Sequence, residues 1–211
     1  MTRILLVDDH PIVRQGIKQV LADAFNPAVV GEAANAQEGM SEVLGTDWDV
    51  MVLDITLPGA SGLDLLKDLR RERPTLPVLV LSMHPPEQFA RRAMSAGASG
   101  YLSKDSPPIE LVKAVGEVIA GRRYLNPAVI DELATTLQPG RSEPAHAVLS
   151  DREYQVLRMI ASGLTVSQVA ARLMLSVKTV STYRGRVLDK MNMNTTAELM
   201  HYGIQHNLVD R

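Results

Sequence analysis

The sequence predicts an α/β domain built on a doubly wound parallel sheet, followed by a smaller all-α domain. Three observations predict it. Short apolar runs recur in the first half: Ile4-Leu5-Leu6-Val7, Val50-Met51-Val52-Leu53, Val78-Leu79-Val80-Leu81 and the shorter Tyr101-Leu102. Runs of that length, alternating with helix-like stretches, read as buried parallel strands. Residues 148–211 instead show helical spacing with clear start signals, and Gln138 to Ala147 (QPGRSEPAHA) reads as a flexible linker between the two.

Each strand candidate ends on a residue with chemistry. Asp8 and Asp9 follow the first, Asp54 the second, Ser82 the third and Lys104 the fourth. In an open α/β sheet the ligand site lies beyond the carboxyl ends of the strands, so these five residues converge on one crevice. Three carboxylates together repel one another, and burial makes that worse. A hard divalent cation relieves the repulsion, and oxygen-only ligands suit Mg²⁺. With Mg²⁺ bound, one carboxylate can attack phosphorus, while Lys104 and Ser82 hold phosphoryl oxygens. Asp54 stands alone at the middle of the sheet and is the candidate nucleophile. Asp8 and Asp9 are adjacent and better placed as metal ligands.

A lone Asp at a strand end is more often a helix cap or a solvated turn residue. The matching positions of Asp8, Asp9, Asp54 and Lys104 favour chemistry instead. His10 reads as a loop residue and Trp48 as packing at the sheet entrance, whereas Thr56 and His84 could edge the site. Pro58-Gly59 and Gly62 are turn residues that shape the loop after Asp54.

Composition sets outer limits. The chain has 211 residues, 45% of them hydrophobic, which suits one medium domain and a small one. No cysteine is present, so disulfides and thiolate metal sites are excluded. The first apolar run is too short for a signal peptide and no stretch could span a bilayer, so a soluble cytoplasmic protein without membrane contact is expected. Charge is uneven: residues 1–147 hold 19 Asp and Glu against 14 Lys and Arg, and residues 148–211 hold 5 against 8. A mildly basic C-terminal module suits an anionic partner.

Pro107 to Gly121 reads as the last helix of the first domain, with Leu111, Val112, Val115, Val118 and Ile119 at helical spacing. A short helix then runs from Asn126-Pro127 to about Leu137. Beyond the linker, Ser150 with Glu153, Thr165 with Gln168, and Thr195 with Glu198 match the capping-box spacing, and Ser176 is a further cap. The first of these helices buries Tyr154, Leu157, Ile160 and Ala161 and stops at Gly163. The second buries Val166, Val169, Ala170 and Leu173. The third turns Val177, Val180, Val187, Leu188 and Met191 inward and a polar-basic face outward. Two short helices joined by a tight turn, the second with a basic outer face, form a helix-turn-helix.

Asp8-Asp9-His10, Asp54-Ile55-Thr56-Leu57-Pro58-Gly59 with Gly62, Ser82, and Tyr101-Leu102-Ser103-Lys104 closely resemble a response-regulator receiver domain over roughly residues 1–125. The resemblance implies a flavodoxin-like, five-stranded sheet of order 2-1-3-4-5. It implies that Asp54 accepts a phosphoryl group from a sensor histidine kinase. Asp8, Asp9, Asp54 and the backbone carbonyl of Thr56 would surround Mg²⁺, and Ser82 and Tyr101 would be the switch pair. Many receivers follow the lysine with a cis proline, but here Asp105 follows Lys104. A cis bond before a non-proline costs about 3 kcal/mol, which puts the loop geometry there in question.

Leu149-Ser150-Asp151-Arg152-Glu153, Ile160-Ala161-Ser162-Gly163-Leu164-Thr165, Val169-Ala170, Leu173 and Ser176-Val177-Lys178-Thr179-Val180-Ser181-Thr182 resemble the LuxR-type DNA-binding domain. It spans residues 148–211, with residues 126–147 as linker and short helix. The whole chain is similar to the NarL/FixJ-type response regulators. The resemblance implies that the third helix enters the major groove of double-stranded DNA and that a homodimer forms on the operator. Ser181, Thr182 and Gly185 would face bases; Lys178, Thr179, Arg184, Arg186 and Lys190 are phosphate candidates. Tyr183 and Gly185 depart from the family, which often has His at the first position and a longer polar or basic residue at the second. The last helix resembles the family's dimer element. The only chemistry implied for the chain as an enzyme is its own aspartyl phosphorylation and dephosphorylation. An alternative is a phosphorylation-independent DNA-binding regulator whose receiver serves protein contacts. A Mg²⁺/aspartyl phosphatase is disfavoured, because such enzymes usually carry the nucleophile on the first strand with a second Asp two residues on.

Overall fold

A computed structural model of the chain describes residues 1–83, 86–125, 130 and 144–209. The chain divides into two compact units, Met1–Pro139 and Gly140–Arg211.

In the first unit strands and helices alternate: β1 (Thr2–Val7), α1 (Pro11–Ala24), β2 (Ala28–Ala33), α2 (Ala36–Gly45), β3 (Val50–Asp54), α3 (Gly62–Glu72), β4 (Val78–Ser82), α4 (Pro86–Ser95), β5 (Gly100–Ser103), α5 (Pro108–Ile119) and β6 (Tyr124–Leu125). The sheet order is β2-β1-β3-β4-β5-β6, and every pairing is parallel. The expected order 2-1-3-4-5 is present, and β6 extends it to a sixth strand. Two residues are too few to leave a periodic signal, so the sequence could not announce β6. Gly100 admits it: a Cβ there would lie 2.8 Å from the Tyr124 carbonyl oxygen.

Strand residues alternate between two covered faces, as the pleat requires. Ile4, Leu6, Val50, Val52, Leu79, Leu81 and Leu102 pack with Leu21 of α1 and Leu111, Ala114, Val115 and Val118 of α5. The intervening Leu5, Val7, Met51, Leu53, Val78, Val80 and Tyr101 are equally buried on the opposite face. There Gly39 of α2 sits against Val7 and Leu65, where a Cβ would come within 3.2 Å of Val7. Each such side chain contributes about 1.5–3 kcal/mol of burial, so both faces anchor the strand ends that carry the polar residues. Trp48 lies over Gly31, whose absent Cβ leaves room for the indole, and its Nε1 donates to the Glu42 carbonyl.

The second unit holds a 3₁₀ turn (Ala145–Val148), then α6 (Asp151–Ala161), α7 (Val166–Leu173), α8 (Val177–Lys190) and α9 (Thr196–Gln205). Ser150–Glu153 and Thr165–Gln168 close reciprocal capping boxes. At α9 the reciprocity is offset: Thr195 accepts from Glu198 N–H, but the Glu198 carboxylate takes Asn194 N–H. Ser176 caps α8 through Thr179 N–H. Val156, Ile160, Val169, Ala170, Leu173 and Val180 form the core. Val177, expected inward, is 51% exposed because it opens the first turn of α8 on its outer side.

Two sequence expectations need adjustment or lie elsewhere. The helix expected from Asn126 to Leu137 falls outside the described residues, except at Ile130. The linker expected through Ala147 ends earlier, because Ala145–Val148 is folded onto the helical unit. His146 Nδ1 lies 2.8 Å from the Tyr202 hydroxyl, and its ring packs against Tyr154 and Tyr202. Aromatic contact of this kind anchors a segment whose composition alone suggests mobility.

Candidate phosphoacceptor site and nucleic-acid interface

Strand register assembles the crevice. Val7 pairs with Leu53, which sets Asp8 beside Asp54 at the ends of β1 and β3. Ser82 pairs with Ser103, and Lys104 N–H then donates to the Ser82 carbonyl at 2.9 Å. The sheet thus brings together Asp8, Asp9, Asp54, Ser82 and Lys104 as expected. Carboxylate oxygens of Asp8, Asp9 and Asp54 and a ring nitrogen of His10 all lie within 4.8 Å of one another.

Asp8 is 1% and Asp54 2% exposed. Lys104 Nζ lies 2.7 Å from Asp54 Oδ2 and 2.6 Å from Asp8 Oδ2. Asp54 Oδ1 accepts Thr56 N–H at 3.0 Å. Burial raises the Asp54 pKa above the ordinary carboxylate range, and the Lys104 ammonium only partly offsets it. Burial pulls Lys104 down, but Asp54 and Asp8 outweigh that and hold it above its usual value. One ammonium serving two buried carboxylates, with Asp9 alongside, leaves negative charge uncompensated. The donor set is all carboxylate oxygen apart from His10, whose Nδ1 is 2.8 Å from Asp9 Oδ1. These residues fit a hard divalent cation such as Mg²⁺.

The loop after Lys104 departs from a cis geometry. Among the described residues the only cis peptide is Asn26–Pro27, so Lys104–Asp105 is trans. Ser103 holds the turn, its Oγ accepting Asp105 N–H and its carbonyl accepting Ser106 N–H. Ser82 and Tyr101 are fully buried. His84 lies outside the described residues.

Sequence reasoning missed two supports of the site. Arg14 Nη1 donates to the Asp8 carbonyl at 2.7 Å while its Nε meets Glu32 at 3.1 Å, which ties the acidic loop to α1 and β2. A basic residue one turn into the helix after the acidic pair was the available signal. Gly62 is more than a turn residue. A Cβ there would fall 2.0 Å from the Asp54 carbonyl oxygen, so only glycine lets α3 begin this close to the Asp54 backbone. Gly59 supplies the left-handed turn at φ 74°.

In the second unit, α8 presents Lys178, Ser181, Thr182 and Arg186 as exposed residues, with Gly185 half-buried between them. The helix runs through Gly185 unbroken, at a cost of about 1 kcal/mol relative to alanine. The remaining DNA candidates are not on that open face in the same way. Thr179 is half-buried in the cap, its hydroxyl 2.7 Å from Ser176 Oγ. Arg184 is half-buried, with Nε enclosed and without a hydrogen-bond partner. Lys190 Nζ pairs with buried Glu153 Oε2 at 2.7 Å, so a phosphate there competes with that carboxylate. Burial raises the Glu153 pKa, but bonds from Lys190 and Ser150 win and hold it below the usual range. The α7–α8 junction turns on Met174, which adopts φ 51°. No helix among the described residues is long and apolar enough to cross a membrane.

Comparison with known proteins agrees with both halves. The response regulator receiver domain family matches residues 4–116, and the bacterial regulatory proteins of the luxR family match residues 147–203. Response regulator UvrY of Escherichia coli (strain K12) is 36% identical over 209 residues, covering 99% of this chain and 96% of that protein. Response regulator GacA of Pseudomonas aeruginosa is 36% identical over 211 residues, covering 100% and 99%. Among solved structures, RcsB from Salmonella enterica serovar Typhimurium, bound to promoter rprA in the presence of phosphomimetic BeF3-, superposes with a TM-score of 0.64. It is 26% identical and covers 95% of this chain and 97% of that one. A parallel sheet closing an acidic crevice, a capped helix-turn-helix, and near full-length similarity to two response regulators have one reading: the chain belongs to the NarL/FixJ-type response regulators, two-component transcription regulators with a receiver and a LuxR-type DNA-binding domain.

Proposed function

We propose that the chain is a phosphorylation-controlled transcription regulator that accepts a phosphoryl group on Asp54 from a sensor histidine kinase and binds operator DNA as a homodimer. The observation that carries this is the joining of buried Asp8 and Asp54 through one ammonium, that of Lys104. Receiver function is assigned to residues 1–125 and DNA binding to residues 148–211, with residues 126–147 connecting them. Partnership with a kinase and with DNA places the protein in the cytoplasm.

Asp8, Asp9, Asp54 and the Thr56 carbonyl would hold Mg²⁺, which when bound neutralises charge on the phosphoryl group. Asp54 supplies an oxygen that attacks phosphorus in line. The bond from phosphorus to the donor histidine breaks, and the imidazole leaves. Lys104 and the Ser82 hydroxyl then hold phosphoryl oxygens, a charge-assisted contact that exists only in the phosphorylated state. That difference shifts a pre-existing equilibrium in the arrangement of Ser82 and Tyr101. On the DNA side, Ser181, Thr182 and Gly185 face bases and Lys178 and Arg186 meet phosphates. Thr179, Arg184 and Lys190 are secondary phosphate candidates.

Intact-mass measurement after treatment with a small acyl phosphate and Mg²⁺ tests the chemistry. Wild type should gain one phosphoryl group and Asp54→Asn none. An equal gain in both proteins moves the site elsewhere, and no gain in wild type favours a receiver that works by protein contacts alone.

A further inference from the structure

Bidentate base recognition requires a long forked or planar side chain at the centre of the reading face. The centre of the open face of α8 has none: Arg184 is half-buried with its Nε enclosed, and Arg186 stands at the edge. Ser181, Thr182 and Gly185 occupy that centre, and the cations Lys178 and Arg186 frame it. Thr182 donates its hydroxyl hydrogen to the Lys178 carbonyl at 3.0 Å, within its own helix. With its one donor spent there, that side chain offers a partner its methyl group and an acceptor oxygen, and can donate to no base.

Gly185 adds a second observation. A Cβ there would meet nothing within 4 Å, and its φ is not positive. Among the described residues no turn, cap or close approach repays the helix cost of a glycine there. Gly16 in α1, Gly45 in α2 and Gly116 in α5 share that openness, but among them and Gly185 only Gly185 shares it with a face framed by exposed cations. Positions 182 and 185 are neighbours on the helix surface, so the threonine and the missing side chain form one shallow apolar notch.

We propose that each copy of the chain reads a thymine in its half-site by apolar contact, the thymine 5-methyl seated in the notch at Gly185 beside the Thr182 methyl. The proposal rests on the docking of α8 in the major groove. It names the chemistry that docking recognises: a methyl on a base edge, in place of a donor–acceptor pair.

The test uses the full chain and a site that wild type selects from random duplex DNA. Each thymine of that site is replaced singly by deoxyuracil, which removes the methyl and keeps the pairing edge. One thymine per half-site should show about a fourfold loss of affinity, the value of one methyl-sized apolar group. Thr182→Ser and Gly185→Asn should each abolish that loss. Both substitutions suit a helix at least as well as the native residue, so folding is preserved. Tolerance of deoxyuracil at every position overturns the proposal, as does a penalty that persists undiminished in both variants. Failure of the docking itself reads differently: Lys178→Ala and Arg186→Ala would then keep the wild-type salt dependence, and the thymine assignment falls with it.

Discussion

Gly62→Ala would place a methyl group where the backbone of Asp54 stands. The added Cβ lies 2.0 Å from the Asp54 carbonyl oxygen, 2.9 Å from Ile55 Cα and 3.0 Å from the Asp54 carbonyl carbon. An unstrained carbon–oxygen contact is about 3.3 Å, so the backbone must yield by about 1.3 Å at the first of these. None of the obstructing atoms belongs to a flexible side chain. Overpacking of this kind costs about 1–3 kcal/mol. The bond from Gly62 N–H to the Ile55 carbonyl, 2.9 Å long, is strained with it, a loss of about 1 kcal/mol. Helix propensity favours alanine by about 1 kcal/mol, which leaves a net loss of about 1–3 kcal/mol. For a domain of this size that lowers the melting temperature by about 4–12 °C. The chemical effect should exceed the thermal one, because a displacement of about 1 Å at a reacting group can cost about 100-fold in rate. Thermal unfolding and the initial rate of acyl-phosphate-driven mass gain, measured side by side, check both. Wild-type values in each would refute the argument that α3 must start against Asp54.

Lys104→Ala leaves Asp8 and Asp54 buried without their shared ammonium, a loss of about 3–5 kcal/mol without metal. Mg²⁺ should restore melting temperature in that variant, but phosphorylation should no longer raise DNA affinity; a retained affinity gain removes Lys104 from the switch. Because burial raises the Asp54 pKa, the folded state holds that proton more tightly than the unfolded chain, and stability falls as pH rises above the ordinary carboxylate range. Denaturant unfolding of metal-free protein across that range should show the decline in wild type and a flatter profile in Asp54→Asn; identical profiles would refute it. Lys178→Ala and Arg186→Ala should weaken binding to selected and random DNA alike and reduce the salt slope by about one ion each, as titrated binding measures. Lys190→Ala should change that slope less, because its ammonium is paired to Glu153, and a reduction equal to that of Arg186→Ala would contradict the pairing.

Strand ends were legible because parallel strands buried on both faces leave continuous apolar runs, and the residue after each run must lie at the carboxyl edge. That rule placed Asp8, Asp54 and Ser82 together, with Lys104 one residue beyond the edge position Ser103, and register supplied the rest. Capping boxes at Ser150 and Thr165 were legible for a similar reason, since their partners are three residues apart. What the sequence withheld was tertiary. Arg14 reaching the Asp8 carbonyl, Gly62 against Asp54, and Lys190 meeting Glu153 depend on distances across elements that no local spacing encodes. β6 was withheld by brevity, and the Ala145–Val148 turn by a composition that resembles a linker while His146 supplies the anchor.

Glu153 has a consequence for how force passes through the DNA-binding unit. One of its oxygens, Oε2, receives both Ser150 N–H at 2.8 Å and Lys190 Nζ at 2.7 Å. The first closes the entrance of α6; the second pins the far end of α8. The entrance of α6 and the exit of α8 are therefore fastened to a single rivet. A pull on the segment leading into Ser150 either carries the end of α8 with it or breaks the Lys190 pair and frees that ammonium for a phosphate. The same atom that seals the first turn of α6 acts as a latch on the ammonium at the end of α8.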